Sequence, residues 1–184
     1  MKYPTEISHA ELVELGRDWL IRPYCTTAPY GHYGCSVVLT ELSTATYCNE
    51  IPDVLGFCPN KSILIECKAS LSDYRADQKK PFRMVSENAL GLLRWYLAPK
   101  GLIPVQEIPE KWGLLEVLPG RSIIAAKKAE PQGRGYESEI TCLLSLLRRL
   151  DIAPDNHVAI KRYVISSNVN RATFFVDSEK EAGK

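Results

Sequence analysis

Apolar and polar positions follow a regular period in only a few stretches of this chain, and those stretches define its elements. Leu12, Leu15 and Trp19 recur at helical spacing, while Glu11, Glu14 and Asp18 share another face. Ser8 and Glu11 have the spacing of a capping box, and Ile7 and Leu12 that of a hydrophobic staple. A helix therefore starts at that point, and Pro23 ends it. Pro29, Gly31 and Gly34 make the next stretch, 24–35, a loop. Residues 36–43 (SVVLTELS), 50–57 (EIPDVLGF) and 62–69 (SILIECKA) read as strands rich in β-branched residues. Pro52 falls near the start of its strand, where a missing donor is tolerated. Residues 58–61 (CPNK) have the composition of a turn.

Beyond a polar, charge-rich stretch at 71–83, the pattern predicts a helix over 86–97 and strands at 101–104 (GLIP), 112–118 and 122–129. Residues 131–135 (PQGRG) form a linker. A helix is expected over 137–150, with acids in its first turn and Arg148 and Arg149 in its last. Its stripe of Ile140, Leu143, Leu144, Leu147 and Leu150 packs either in the core, the commoner case, or on a partner. One more strand is expected over 158–165, before a polar tail over 167–184. Elements in this order indicate an α/β fold with a largely β centre. At 184 residues the chain is most simply one domain, with a core over 8–130 and an extension over 136–166.

Composition narrows the function classes. The 45% apolar and 24% charged fractions are ordinary for a globular protein. A net charge of +1 gives no chain-wide basic signal, so contact with nucleic acid requires a local patch. No apolar run approaches the roughly 20 residues that span a bilayer, so no membrane partner is expected. The first fifteen residues, MKYPTEISHAELVEL, lack the apolar core of a signal peptide. The six cysteines are accordingly expected to be reduced thiols in a cytoplasmic protein.

The chemistry concentrates in 62–74, SILIECKASLSDY. Alternation puts Leu64, Glu66 and Lys68 on one strand face and Ile63, Ile65 and Cys67 on the other, which assigns Cys67 to the core. The face that carries Glu66 and Lys68 is expected to lie at a surface opposite the core. If the turn pairs Phe57 with Ser62, counting back along the hairpin sets Asp53 directly opposite Glu66. A one-residue change in the turn would separate them to opposite faces. Two opposed carboxylates repel, and a hard divalent cation such as Mg²⁺ is the simplest reason to keep both. Lys68 would then stand beside the metal, placed to stabilise charge on a phosphate in flight. Glu-x-Lys is also a common pattern on solvated strand faces, and the residues alone leave both readings open.

Pro52-Asp53 followed by Glu66-Cys67-Lys68 resembles the signature of the PD-(D/E)xK, restriction-endonuclease-like nucleases. The longer strings ECKASLSDYRADQKKPFR and GLLRWYLAPKGLIPVQEIPEKWGLLEV look like the MmcB-like DNA-repair branch and related phage-encoded proteins. The resemblance covers about residues 36–128. It implies a central mixed β-sheet flanked by helices, DNA as substrate, and Mg²⁺ as cofactor, with Mn²⁺ able to substitute. It also implies Asp53 and Glu66 as metal ligands and Lys68 as the catalytic lysine. An extra acidic ligand is common in such proteins, and Glu14, Glu41 and Glu50 are the candidates. Lys68→Ala and Asp53→Ala are expected to remove cleavage and leave the fold intact. The family is not uniformly catalytic, so a non-cleaving DNA-binding module is an alternative. So is a protein–protein adaptor that acts on a host repair or defence factor.

Other features are less specific. Arg75, Lys79, Lys80 and Arg83, interleaved with Tyr74 and Phe82, make a candidate DNA-backbone patch; Asp73 and Asp77 equally support a neutralised, solvated face. Gln78 is a candidate for a supporting polar role. Cys25, Cys35, Cys48 and Cys58, with His32 nearby, lack the spacing of compact metal sites, so buried free thiols are expected. His9 and His157 have no recognisable partner, and Trp95, Tyr96 and Trp112 are expected in the core. The 137–165 region is the candidate surface for a second copy or a protein partner.

Overall fold

The computed structural model describes residues 7–23, 33–42, 50–80 and 87–149. At its centre are three segments too apolar to leave either face to water. They form β3 (Lys61–Cys67), β4 (Leu93–Pro99) and β5 (Gly113–Val117), and both neighbouring pairs are parallel. Buried parallel strands carry near-continuous apolar runs in place of alternation. This accounts for the largest departure from the sequence expectation, since β4 occupies the second half of the predicted 86–97 helix. Gly91, with φ +82°, sits in the turn just before it, and a Cβ there would lie 2.7 Å from the Leu64 Cβ. Only glycine fits that close approach to β3, and the conformation is not helical.

Antiparallel strands complete the sheet on both sides. β1 (Val37–Thr40) and β2 (Val54–Cys58) lie beyond β3, and β6 (Ile123–Lys127) lies beyond β5. The order is β1-β2-β3-β4-β5-β6, a mixed sheet within an α/β fold. The expected strands at 36–43, 50–57, 62–69, 112–118 and 122–129 are present in shortened form. Residues 50–53 precede β2, and GLIP at 101–104 is a turn leading into the 3₁₀ turn Val105–Glu107.

Helix α1 (His9–Ile21) follows its predicted signals. The Ser8 hydroxyl accepts the Glu11 N–H at 3.2 Å, Ile7 and Leu12 are both buried, and the helix stops two residues before Pro23. Its Leu12, Val13, Trp19 and Leu20 join Val54, Ile63, Ile65, Cys67, Trp95 and Leu97 in one core. The opposite sheet face is covered by α2 (Leu71–Asp77), whose Tyr74 and Asp77 are buried. Tyr74 meets Tyr96 edge to face at 5.0 Å, and Tyr96 stacks on Trp112 at 4.5 Å. Trp95, Tyr96 and Trp112 are core residues, as expected.

Two compact units divide the chain, 1–143 and 144–184. The sheet, α1, α2 and the first two turns of α3 (Tyr136–Arg149) lie in the first, and the described part of the second is the end of α3. The stripe predicted to pack inward on α3 does not do so: Ile140 is 55% exposed, and Leu144 and Leu147 are exposed as well. Its buried residues are Ser138, Glu139 and Cys142. Glu139 is held by the Ser62 hydroxyl at 2.5 Å and the Gly91 N–H at 3.0 Å, with Arg134 at 3.5 Å. Paired polar groups thus dock the helix where apolar ones were expected. Leu150 and the predicted strand at 158–165 lie outside the described residues. No helix among the described residues is long and apolar enough to cross a membrane.

Gly113 pairs with Trp95 across β4 and β5, and a Cβ on it would overlap the indole ring and lie 2.8 Å from the Ala129 nitrogen. Gly113→Ala is therefore expected to overpack the core by about 1–3 kcal/mol. That lowers Tm by roughly 3–10 °C in a thermal melt. An unchanged Tm would contradict this packing.

Candidate active site

The β2–β3 turn holds two residues, Pro59 and Asn60, between the paired Cys58 and Lys61. Phe57 pairs with Ser62 and Val54 with Ile65, the register deduced from the sequence. Continued by one residue past β2, it sets Asp53 opposite Glu66. Asp53 Oδ2 accepts the Cys67 N–H at 2.7 Å, which closes the end of the ladder. The Asp53 side chain is 18% exposed. Burial and the Glu66 charge raise its carboxyl to about 6, against the pull of Lys68, the Cys67 N–H and His9.

Glu66 and Lys68 share a face as predicted, with Lys68 Nζ 3.2 Å from Glu66 Oε2. That face is not a solvated surface, however. The two residues are 2% and 3% exposed. Asp77, from the last turn of α2, places Oδ1 3.4 Å from Lys68 Nζ. Burial alone would lower the lysine's pKa, but Glu66, Asp77, Asp53 and Asp73 together hold it above its ordinary value. The ammonium is therefore a fixed charge. Asp77 is itself oriented by the Tyr96 hydroxyl, which donates to Oδ2 at 3.0 Å, and by Lys80 at 2.8 Å. Gln78 donates to that hydroxyl at 2.6 Å, so its polar role is real but one residue removed. Cys67 is fully buried, and burial with the Asp53 and Glu66 charges pushes its thiol well up.

The three candidates for an extra acidic ligand separate cleanly. Glu14 is exposed on α1 and paired with Arg17 at 2.7 Å. Glu50 is fully buried, and its Oε2 accepts the Leu90 N–H at 2.9 Å, fixing the turn before β4. Glu41, at φ +47°, donates its N–H to the Asp53 carbonyl at 3.0 Å. Its Oε1 lies 3.8 Å from His9 Nε2, which is itself 3.5 Å from Asp53 Oδ1. Only Glu41 reaches the surroundings of Asp53.

Sequence reasoning missed His9 as a site residue and weighed Asp77 only as a neutralising charge. Both arrive by tertiary packing, His9 from the first turn of α1 and Asp77 from the end of α2. The one available signal for His9 was its place directly after the capping Ser8, which fixes it at a helix N-terminus.

The basic patch is largely engaged. Lys80 holds Asp77, exposed Arg75 lies 3.7 Å from Glu107, and Tyr74 is buried with its hydroxyl donating to the Glu107 carbonyl at 2.6 Å. Lys79 is exposed, and Phe82 and Arg83 lie outside the described residues. Cys35, Cys58, Cys67 and Cys142 are free thiols; Cys25, Cys48, His32 and His157 lie outside the described residues.

Among the described residues, no three His, Cys, Asp or Glu side chains converge tightly enough to cage an ion by themselves. Mg²⁺ does not require such a cage, because it takes one or two carboxylates and completes its octahedron with water and phosphate oxygens. Asp53 and Glu66 fit that donor set, and a cation would offset the burial and the Glu66 charge that raise the Asp53 carboxyl.

No family model and no curated protein matches the chain. Among solved structures it is similar to a protein of unknown function from Silicibacter pomeroyi, at 21% identity. The match covers 62% of this chain and 77% of that one, with a TM-score of 0.44. A likeness at this level assigns neither family nor activity.

Two outcomes follow from the charges. Because the folded Asp53 carboxyl titrates at about 6 and an ordinary one at 3.8, its ionisation costs stability. The contribution is complete below pH 3.8 and lost as pH rises through about 6. Without divalent cations, wild type should lose up to about 3 kcal/mol relative to Asp53→Asn across that window. Parallel denaturant titrations would reveal it, and a constant difference would refute it. Lys68→Ala, expected from the sequence to leave the fold intact, instead removes the buried cation beside Glu66 and leaves Asp77 with Lys80. Its loss should be about 3–5 kcal/mol, read by urea unfolding.

Proposed function

We propose that this protein is a Mg²⁺-dependent nuclease of restriction-endonuclease-like type that hydrolyses DNA phosphodiester bonds, in repair or in phage DNA metabolism. The observation that carries the reading is the hairpin register, which sets Asp53 against Glu66 with Lys68 on the same face. Asp53 and Glu66 would hold the metal, and His9 and Glu41 lie beside Asp53. When bound, Mg²⁺ lowers the pKa of a coordinated water and neutralises phosphate charge.

The chain's own residues supply the remainder. Lys68 presents a permanent ammonium to the oxygens of the phosphate as charge develops on them. Glu66 and Asp77 keep it protonated, and Tyr96 and Gln78 hold Asp77 in place. Water oxygen bonds to phosphorus as the P–O ester bond breaks, and the departing oxygen leaves with a proton. The exposed part of Asp53 gives a phosphate a way to approach, and exposed Arg75 on α2 and Lys79 just after it are candidate contacts to the DNA backbone.

One observation favours a second reading, a non-cleaving DNA-binding module of the same fold. Glu66 and Lys68 are almost fully covered, and Lys68 is already neutralised by its neighbours. Cleavage assays on duplex, single-stranded, nicked and branched DNA with Mg²⁺, Mn²⁺ or EDTA separate the two. Metal-dependent cutting is expected, reduced roughly 100-fold in Asp53→Asn. Salt-dependent binding without cutting by any metal would support the module; absence of both would leave the adaptor.

A further inference from the structure

At the opposite end of β2 from Asp53, two cysteines distant in sequence meet. Cys35 lies just before β1, with its N–H donated to the Leu20 carbonyl at 2.9 Å, and Cys58 is the last residue of β2. The pairing of Val37 with Phe57 brings these segments together, and the two sulfurs stand 3.1 Å apart. Gly56 makes the room, since a Cβ there would lie 2.8 Å from Cys35 Sγ. Cys35 is buried, whereas Cys58 is half-buried and lines an open cavity of about 170 Å³ with Pro59, Asn60, Lys61 and Arg134.

The spacing discriminates between two uses of a cysteine pair. Thiolates sharing a tetrahedral zinc at about 2.3 Å each would stand roughly 3.8 Å apart. At 3.1 Å these sulfurs are too close for that, yet need to approach only to about 2.05 Å to bond. We propose that Cys35 and Cys58 form a dithiol site that a small-molecule disulfide oxidises, reversibly, to an intramolecular disulfide. The inference stands apart from any reaction at Asp53.

The accessible Cys58 reacts first. Its thiolate attacks one sulfur of the small disulfide, the S–S bond breaks, and one small thiol leaves carrying the proton that Cys58 gave up. Cys35 then attacks Cys58 Sγ in the mixed disulfide, its own proton passing to the second departing thiol. Two protein thiols are oxidised to one disulfide, and one small disulfide is reduced to two thiols. Burial pushes the Cys35 thiol up, which keeps it protonated and leaves the first attack to Cys58. The product fastens the segment before the four-residue edge strand β1 to the end of β2.

The test is incubation of the full chain in buffers of graded oxidised-to-reduced glutathione ratio, followed by acid quench, alkylation and peptide mass analysis. Expected is the loss of two of the six thiols, a linked peptide pair containing Cys35 and Cys58, and reversal by dithiothreitol. Tm should rise by about 5–10 °C on oxidation, as for closure of a loop of this length in a chain of this size. In Cys35→Ser, the reaction should stop at a glutathione adduct on Cys58. Undiminished alkylation of both cysteines would overturn the proposal, as would linkage of either to Cys25 or Cys48. So would one equivalent of zinc in the reduced chain's native mass that Cys58→Ser abolishes. The decisive readout is on wild type, so a variant that fails to fold does not remove it.

Discussion

The register of the β2–β3 hairpin is the constraint on which the rest depends. Its two-residue turn at Pro59 and Asn60 pairs Phe57 with Ser62 and Val54 with Ile65. Side chains on a strand alternate with a period of two, so a slip of one residue would turn every one of them to the wrong face. Ile63 and Ile65 would leave the core beneath α1, and Glu66 and Lys68 would enter it. The same register sets Asp53 against Glu66 at one end of β2, while the pairing of β1 with β2 brings Cys35 to Cys58 at the other. Core packing and polar chemistry are thus fixed by one short turn.

Around that frame, burial and Coulomb attraction compete, with different winners at neighbouring groups. At Lys68 the carboxylates of Glu66 and Asp77 outweigh desolvation, and the ammonium stays charged in the interior. At Asp53, burial and the charge of Glu66 act in the same direction, and Lys68 does not fully offset them. An isolated ion pair buried in this way is weak ground for stability. The charge at Asp53 that its neighbours leave uncompensated is what the proposed cation would offset.

Much of this was legible in the sequence, and the remainder had physical reasons to be hidden. The cap at Ser8 and the turn between Cys58 and Lys61 are local signals, and both elements follow them. The β4 segment reads in the sequence as part of a helix because a strand buried on both faces shows no period of two. The stripe on α3 misled for the opposite reason. The buried face of the helix is Ser138, Glu139 and Cys142, and Glu139 docks it through hydrogen bonds to Ser62 and Gly91, which no hydrophobic pattern reveals. His9 and Asp77 reach their places only when α1 and α2 fold onto the sheet, so nothing in their immediate sequence marks them. Asp53, Glu66 and Lys68 could be found because one hairpin carries all three.

The most direct test of the metal-site account is anomalous diffraction from crystals of the full chain soaked in Mn²⁺. The account predicts a single strong peak between the carboxylates of Asp53 and Glu66, absent from crystals of Asp53→Asn. No peak there under saturating Mn²⁺, or a peak only at some other group of acids, would contradict it.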